Sequence, residues 1–162
     1  MNNVFLIIGG NLGNRKANLR EACARINERA GKVVKTSSIY ETEPWGVEGQ
    51  PHYYNQVLQV LTRLQPDALM QTLLKIEEQM GRVREIKYGA RTIDIDILFF
   101  NDLAYESPMV TVPHPRIAER RFVLTPMAEI APDFIHPVFQ KNMTALLRQC
   151  TDKTAVQKTE TR

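Results

Sequence analysis

The spacing of apolar and polar residues along the chain predicts alternating strands and helices. Apolar runs at 4–8 and 53–62 indicate strands, and residues 33–41 indicate another strand between them. Apolar residues recur at helical spacing from residue 15 to about 30 and again from 66 to 80, and a glycine follows each stretch. The order so far is strand, helix, strand, strand, helix.

The next strand combines strict alternation with two carboxylates. Ile93, Ile95 and Ile97 fall on one side, and Asp94 and Asp96 fall on the other. Side chains on one face of a strand lie roughly 6–7 Å apart, so the two carboxylates can share one divalent cation or hold two. The segment just before it is basic, with Arg82, Arg84, Lys87 and Arg91. Acids for a metal beside bases for an anion favour a metal–phosphate site, although a half-exposed strand after a solvated loop has the same pattern.

The element order predicts an α+β fold. Strand, helix, strand, strand, helix, strand is the ferredoxin-like β-α-β-β-α-β arrangement, an antiparallel sheet with both helices on one face. We expect the opposite face to be left to loops and to receive the ligand. A C-terminal extension follows, with an apolar stretch at 123–130 and a short amphipathic helix at 142–150. We predict a single domain over 1–150 and a frayed polar tail over 151–162.

Composition and net charge limit the kinds of partner that the protein is expected to bind. A chain of 162 residues with 43% hydrophobic content is large enough for one core, and a net charge of +3 is only mildly basic. No apolar run reaches the roughly 18 residues of a membrane-spanning helix, and no leader pattern is present. We expect a cytoplasmic monomer that binds neither nucleic acid nor membrane. Cys23 and Cys150 have no metal-binding spacing, and a disulfide between them stays open.

Several side chains could contact a flat ligand or a phosphate. Tyr53 and Asn55 share a strand face, which suits a heterocycle that stacks on a ring and hydrogen-bonds to an amide. Trp45, in the polar loop 42–51, either pins that loop or stacks on a ligand. His114, between two prolines, is either a ligand contact or a turn residue, and Phe122 is either core or a second stacking ring. The glycine-rich stretch 9–14 lacks a phosphate-loop motif and is better explained as a tight turn.

The chemistry-bearing segments together resemble a known enzyme family. Residues 87–98, KYGARTIDIDIL, are similar to the signature of the 6-hydroxymethyl-7,8-dihydropterin pyrophosphokinases. The stretches around residues 8–13, 38–46, 53–55, 77–84, 112–114 and 120–122 follow in the family's order and near its spacing. The resemblance covers residues 4 to about 135, and that family has a ferredoxin-like fold.

The resemblance implies transfer of pyrophosphate from ATP to hydroxymethyl dihydropterin, with release of AMP, in folate biosynthesis. It implies two Mg²⁺ ions on Asp94 and Asp96, which act in catalysis with Arg82 and Arg91. The implied pterin-binding residues are Thr42, Pro44, Trp45, Gly46, Tyr53, Asn55 and Phe122. The implied ATP-binding residues are Glu77, Arg82, Arg84, Tyr88, Arg91, Ile97, Thr111, His114 and Arg120.

The chain departs from the family's commonest pattern at a few positions, which are Glu43, Trp45, Tyr88, Met109 and Pro115. We expect these departures to alter loop and nucleotide contacts and to leave the metal ligands and the pterin platform unchanged. No general base is evident in the sequence. Two other classes share parts of the pattern. An RNA-binding sheet would need an aromatic strand motif that is absent, and an Asp-x-Asp nuclease or sugar transferase would leave the Tyr53 and Asn55 pair unexplained.

Overall fold

The structure is a computed structural model that describes residues 1–43, 51–81 and 92–159. The first half contains β1 (Asn2–Gly10), α1 (Arg15–Arg29), β2 (Lys32–Thr36), β3 (Tyr40–Thr42), β4 (Tyr53–Thr62), α2 (Pro66–Gln79) and β5 (Asp94–Phe100). The rest contains β6 (Tyr105–Glu106), β7 (Thr111–Val112), a 3₁₀ turn (Ile117–Glu119), α3 (Arg121–Ile130), α4 (Met143–Gln149) and β8 (Gln157–Lys158).

The main sheet has the predicted ferredoxin-like topology. Its strands lie in the order β5-β1-β4-β3-β8, β2 also pairs with β4, and every pairing is antiparallel. Strands β1 and β4 are therefore central, and β1 is hydrogen-bonded on both sides. A separate two-stranded hairpin, β6–β7, follows β5.

The predicted strand over 33–41 is two strands on the same partner, so that prediction was wrong in its continuity. Strands β2 and β3 both pair with β4, and the three residues between them leave the ladder. Ser37 explains the break. Its backbone N–H donates to the Val57 carbonyl at 2.8 Å, while its hydroxyl accepts from the Val57 N–H at 2.9 Å. A side chain that replaces the backbone acceptor in this way ends regular pairing.

The two faces of the sheet bury separate apolar clusters. On one face, α1 and α2 cover side chains such as Leu6, Ile8 and Leu58, as the predicted fold requires. The other face is not left to loops as expected, because α3 and α4 cover side chains such as Phe5 and Val57. The apolar residues of these two helices need burial as much as those of the sheet do. They cover only part of the face, and the uncovered end becomes the floor of the cleft described below.

Strand β3 is tied to α3 by one carboxylate. Glu129 accepts hydrogen bonds from the Ser38 N–H (2.9 Å), the Ser38 hydroxyl (2.7 Å) and the Tyr40 hydroxyl (3.0 Å). Burial, together with this carboxylate, raises the pKa of Tyr40 to about 12, so the phenol stays a hydrogen-bond donor. The tie fixes β3, which lies between β4 and β8, next to the uncovered end of the sheet.

The C-terminal tail differs from the frayed segment expected. Gln157 and Lys158 form β8 opposite Glu41 and Tyr40, and the Thr159 N–H donates to the Ile39 carbonyl at 2.9 Å. The polar composition hid this pairing because an edge strand needs few apolar residues when its bonds are made by the backbone. The domain boundary at residue 150 stays a prediction.

Both cysteines are free thiols, and Cys23 packs beside the α1–α2 cluster as a core residue. Among the described residues, no helix has the length and apolar character needed to cross a membrane.

His136 has a structural role. Its Nδ1 accepts the backbone N–H groups of Val138 (3.1 Å) and Phe139 (3.2 Å), and its ring stacks on Phe139 with 4.4 Å between centroids. Burial lowers the pKa of His136, so the folded protein holds the neutral ring.

We expect His136→Gln to weaken the fold in a pH-dependent way. A histidine with a lowered folded pKa stabilises the protein above its unfolded pKa of about 6.5, and that stabilisation is lost as the pH falls. The variant should be about 1–3 kcal/mol less stable at pH 8, because two backbone N–H groups lose their acceptor. Urea unfolding from pH 5 to 8 should show the difference from wild type shrinking on acidification. Parallel curves would contradict this origin of the effect.

Candidate active site

A cleft of about 480 Å³ opens over the uncovered end of the main sheet, on the face away from α1 and α2. Strands β1, β3, β4 and β5 form its floor, and the 3₁₀ turn and the start of α3 form a wall. The lining includes Ile7, Ile8, Gly9, Thr42, Glu43, Tyr53, Asn55, Asp94, Asp96 and Leu98 from the floor. The wall contributes His114, Arg116, Glu119, Arg120, Phe122 and Val123.

Gly9 is the middle residue of the cleft floor. It pairs with Asn55 of β4 on one side and with Asp94 of β5 on the other. A Cβ atom at Gly9 would lie 2.0 Å from the Asn55 Oδ1 atom, so only glycine leaves that amide its position. Because Gly9 has no side chain, nothing on β1 stands between the Asn55 carboxamide and the Asp94 carboxylate, which are two strand spacings, or about 10 Å, apart. The glycines at 9 and 10 belong to the strand and not to the tight turn expected from the sequence.

Asp94 and Asp96 share the face of β5 that lines the cleft, with Ile93, Ile95 and Ile97 buried on the opposite side as predicted. Asp94 is half-buried and Asp96 is exposed. Mg²⁺ commonly takes one or two protein carboxylates and completes its coordination with water and substrate phosphates. Within the described ranges no group of three or more candidate ligands could hold a metal. Two carboxylates on one strand face fit a magnesium that takes its remaining ligands from water and a polyphosphate.

A β-bulge in β5 connects the strand that carries Asp94 and Asp96 to His114. The β1–β5 register shifts between Phe5 and Leu6, which leaves Leu98 as the extra residue. The Leu98 carbonyl accepts the backbone N–H of His114 at 2.9 Å, and the Leu98 side chain lines the cleft. Bulges often re-aim residues next to active sites in this way.

His114 is held as a neutral ring that can donate a hydrogen bond. Its Nδ1 accepts the Arg116 backbone N–H at 3.2 Å, which leaves Nε2 to carry the proton. Burial lowers the pKa of His114, and Arg120 and Arg116 lower it further, whereas the nearby Asp96 raises it. The imidazole is therefore a turn residue, which is one of the two alternatives from the sequence, and it also lines the cleft. Its contact with a ligand stays a prediction.

Arg120 brings a guanidinium into the same wall. Burial is the largest cause of its lowered pKa, and the neighbouring Arg116 comes next, yet an arginine stays charged at neutral pH. Its Cζ atom lies 5.7 Å from the centroid of the Phe122 ring. Arg121 does not share this position: its N–H donates to Asp152 at 3.1 Å, and it does not line the cleft.

The aromatic and polar residues expected to hold a pterin converge at the other end. Thr42 and Tyr53 are paired across β3 and β4, Asn55 is buried beside them, and all three line the cleft. Phe122 lines the wall from the first turn of α3 and is half-buried. Pro44, Trp45 and Gly46 lie outside the described residues.

Three residues expected at the nucleotide do not line this cleft. Glu77 is 2% exposed on α2, and its Oε2 accepts the Ile95 N–H at 2.6 Å, directly between the two aspartates. Ile97 is 2% exposed in the α1–α2 cluster, so its side chain does not reach the cleft. Thr111 is on β7 and does not line the cleft. Glu77 therefore supports the strand that carries the carboxylates. The four other expected nucleotide and catalytic residues, Arg82, Arg84, Tyr88 and Arg91, lie outside the described part of the chain.

Two charged residues of the cleft, Arg116 and Glu119, are absent from the sequence-based set. Both lie on the stretch between His114 and Arg120, which the resemblance does not mark. Their spacing of three along a turn puts them side by side, with 3.6 Å between Nη2 and Oε1. That spacing was the only available signal, and ordinary surface pairs have it too.

Comparison with known proteins agrees with the geometry. The profile of the 7,8-dihydro-6-hydroxymethylpterin-pyrophosphokinase (HPPK) family matches residues 5–132. The chain belongs to this family. The HPPK activity predicted from the resemblance is thereby confirmed: pyrophosphate is transferred from ATP to hydroxymethyl dihydropterin in folate biosynthesis.

Individual HPPK relatives cover most of the chain. The 2-amino-4-hydroxy-6-hydroxymethyldihydropteridine pyrophosphokinase of Bacillus subtilis is 45% identical over 132 residues, which are 80% of this chain and 79% of that protein. The Synechocystis enzyme of the same name is 42% identical over 92% of this chain and 76% of its own. The folic acid synthesis protein fol1 of Pneumocystis carinii is 38% identical over 92% of this chain, which matches only 20% of that longer protein.

Solved structures support the fold. The crystal structure of wild-type Plasmodium falciparum HPPK-DHPS with pterin and p-hydroxybenzoate superposes with a TM-score of 0.73 at 19% identity, over 91% of this chain. An HPPK-DHPS structure with substrates gives a TM-score of 0.72 at 17% identity. The chain spans 43% of each of those proteins. At this identity the similarity establishes the α+β fold alone.

We expect Gly9→Ala to weaken pterin binding specifically. The new methyl group would collide with Asn55 Oδ1 and with the Tyr54 carbonyl at 2.9 Å, so the amide must move. Pterin affinity should fall at least tenfold while affinity for an ATP analogue changes little, as titration calorimetry with each ligand would show. Tenfold corresponds to about 1.4 kcal/mol, which lies within the roughly 1–3 kcal/mol cost of leaving a buried polar group unpaired.

The matched control for this variant is Gly31→Ala. A Cβ there would lie 2.4 Å from the Leu61 carbonyl, at the opposite end of β4 and away from the cleft. This control should lower the unfolding midpoint and leave pterin affinity unchanged. Equal loss of pterin affinity in both variants would mean that general destabilisation, and not the Asn55 contact, is responsible.

Proposed function

We propose that HPPK catalysis in this chain occurs in the cleft, with the pterin over Tyr53 and Asn55 and the ATP phosphates over Asp94 and Asp96. The observation that carries the proposal is the register of the three floor strands, which puts a carboxamide and a carboxylate on either side of Gly9. A substrate hydroxyl bound at one end can then meet a phosphate bound at the other.

The pterin end is built to recognise a flat heterocycle. Tyr53 and Phe122 supply rings from the floor and from the wall, so the pterin ring lies between them. Asn55 and Thr42 supply one amide and one hydroxyl that are nearly removed from water. Buried polar groups of this kind reject ligands that leave them unpaired, which gives selectivity for the pterin's hydrogen-bonding edge.

The phosphate end combines acids and bases. Asp94 and Asp96 would hold Mg²⁺ against the triphosphate, and a bound ion would neutralise charge that develops on the phosphate oxygens. Arg120 and the Nε2–H of neutral His114 donate hydrogen bonds to phosphate oxygens from the wall. Glu77 contributes indirectly, because its bond to Ile95 fixes the strand between the two aspartates.

The reaction itself requires little beyond alignment. The pterin hydroxymethyl oxygen attacks the β-phosphorus, the bond from that phosphorus to the oxygen bridging to the α-phosphate breaks, and AMP leaves. Two substrates fixed at opposite ends of one cleft lose their translational freedom before reaction, and this accounts for much of the rate. Fixed donors on the wall then stabilise the transition state without reorganising. We assign no side chain as general base.

Residues outside the described ranges complete the proposal. Arg82 and Arg91 act as catalytic phosphate ligands, Arg84 and Tyr88 contact the nucleotide, and Pro44, Trp45 and Gly46 border the pterin, as the resemblance implies. We further propose that the enzyme is a monomer and acts in the cytoplasm, which rests on its composition. Asp94 and Asp96 count against an RNA-binding function, since two carboxylates on the open face repel phosphates without metal.

We expect Asp96→Asn to abolish turnover and to leave the fold intact. The carboxylate is exposed, so its neutral isostere should shift the unfolding midpoint little, but it removes a charged oxygen ligand. The assay is AMP release from ATP, Mg²⁺ and hydroxymethyl dihydropterin. Wild type should form AMP only with pterin present. The rate in the variant should fall at least a hundredfold, about 2.7 kcal/mol.

Asp102→Asn is the matched control for charge, because Asp102 is an exposed aspartate in the turn after β5. It should keep the wild-type rate. A near-normal rate in Asp96→Asn, or release of ADP in place of AMP by the wild type, would refute the proposed site.

A further inference from the structure

The wall of the cleft carries one more positive charge than the phosphate-binding residues proposed above supply. Arg116 and Arg120 both line it, and His114 precedes them in sequence. Like charges brought together without a ligand repel each other, so such a cluster is stable only if something compensates. Part of the compensation is visible: Glu119 lies 3.6 Å from Arg116, and Asp96 lies near Arg120 and His114.

The Arg116–Glu119 pair is weakly held. The side chain of Arg116 is 52% exposed and that of Glu119 is 65% exposed. Exposed ion pairs of this kind contribute little to stability, so Arg116 can readily exchange Glu119 for a better partner. A nucleotide polyphosphate is a better partner, because guanidinium–phosphate hydrogen bonds are charge-assisted and can be bidentate.

The backbone of Arg116 is fixed, which distinguishes it from an ordinary surface arginine. Its N–H donates to the His114 Nδ1 at 3.2 Å, and its carbonyl accepts the Glu119 N–H at 3.1 Å. The side chain can therefore swing between Glu119 and the cleft without loss of the turn. It is anchored to the imidazole that faces the same anion.

We propose that Arg116 is a further phosphate-binding residue for ATP and that Glu119 holds its guanidinium at the wall until the polyphosphate displaces it. This inference rests on the proposed function of the cleft. It makes Arg116 a direct ligand and Glu119 a competitor for the same cation, so the two residues have opposite effects on nucleotide affinity.

The test is calorimetric titration with Mg²⁺ and α,β-methylene ATP, whose bridging bond cannot be cleaved. Arg116→Gln should weaken binding roughly tenfold, as expected when a charged hydrogen bond is lost. Glu119→Gln should strengthen it several-fold. Affinity for the pterin alone should stay within twofold of wild type in both variants, because both side chains lie on the stretch that carries His114, at the proposed phosphate end of the cleft.

Two controls separate this role from net charge. Arg121→Gln removes an adjacent arginine that does not line the cleft, and it should change nucleotide affinity little. In the double variant Arg116→Gln/Glu119→Gln, the gain from Glu119→Gln should disappear, because the competitor has no cation left to hold. A gain that persists in the double variant would overturn the competition, and equal losses in Arg116→Gln and Arg121→Gln would overturn the assignment of Arg116.

The same titration separates failure of this inference from failure of the proposed function of the cleft. If wild type does not bind the analogue, the nucleotide site itself is wrong and the inference falls with it. If wild type binds it and Asp96→Asn weakens the binding, but Arg116→Gln matches wild type, then only the inference is refuted.

Discussion

The hydrogen-bonded register of β1 with its two neighbours is the constraint on which the site depends. Gly9 faces Asn55 across one ladder and Asp94 across the other, so the backbone sets the separation between them. A slip by one residue would turn every side chain of a strand to the opposite face. The register is protected by the apolar side chains of β1, which are buried in both clusters and cannot exchange faces without exposing one set to water.

The two apolar clusters have different consequences for the site: one stabilises the sheet, and the other leaves room for the cleft. Helices α1 and α2 seal one face completely enough for the aliphatic residues of β5 to be buried, while α3 and α4 stop short of the strand ends on the other face. The start of α3 thereby becomes a wall that presents Arg120 and Phe122 to the cleft. Glu129, on the same helix, fixes β3 beside it, so one helix positions both the wall and the edge of the floor.

Much of this arrangement was predictable because it follows from local patterns. The alternation from Ile93 to Ile97 specified a strand with its carboxylates outward, and β4 begins and ends where the apolar run predicted. Non-local effects were not predictable. Ser37 breaks a strand through its hydrogen bonds to Val57 on the neighbouring strand. Arg116 belongs to a turn that is held by the bond from the His114 N–H to the carbonyl of Leu98, the bulge residue. From the sequence, Glu77 is expected on the solvent-facing surface of a helix, but in the structure it is buried and accepts the backbone N–H of Ile95 on β5.

The most direct test of the account is the distance from a bound metal to the floor of the cleft. Mn²⁺ with α,β-methylene ATP can replace Mg²⁺, and paramagnetic broadening of assigned amide resonances then reports proximity. We expect strong broadening at the Gly9 backbone and the Asn55 side-chain amide. Thr62, about 20 Å further along β4, should be affected far less. Sharp Gly9 and Asn55 signals, or broadening centred on Thr62, would contradict the shared site.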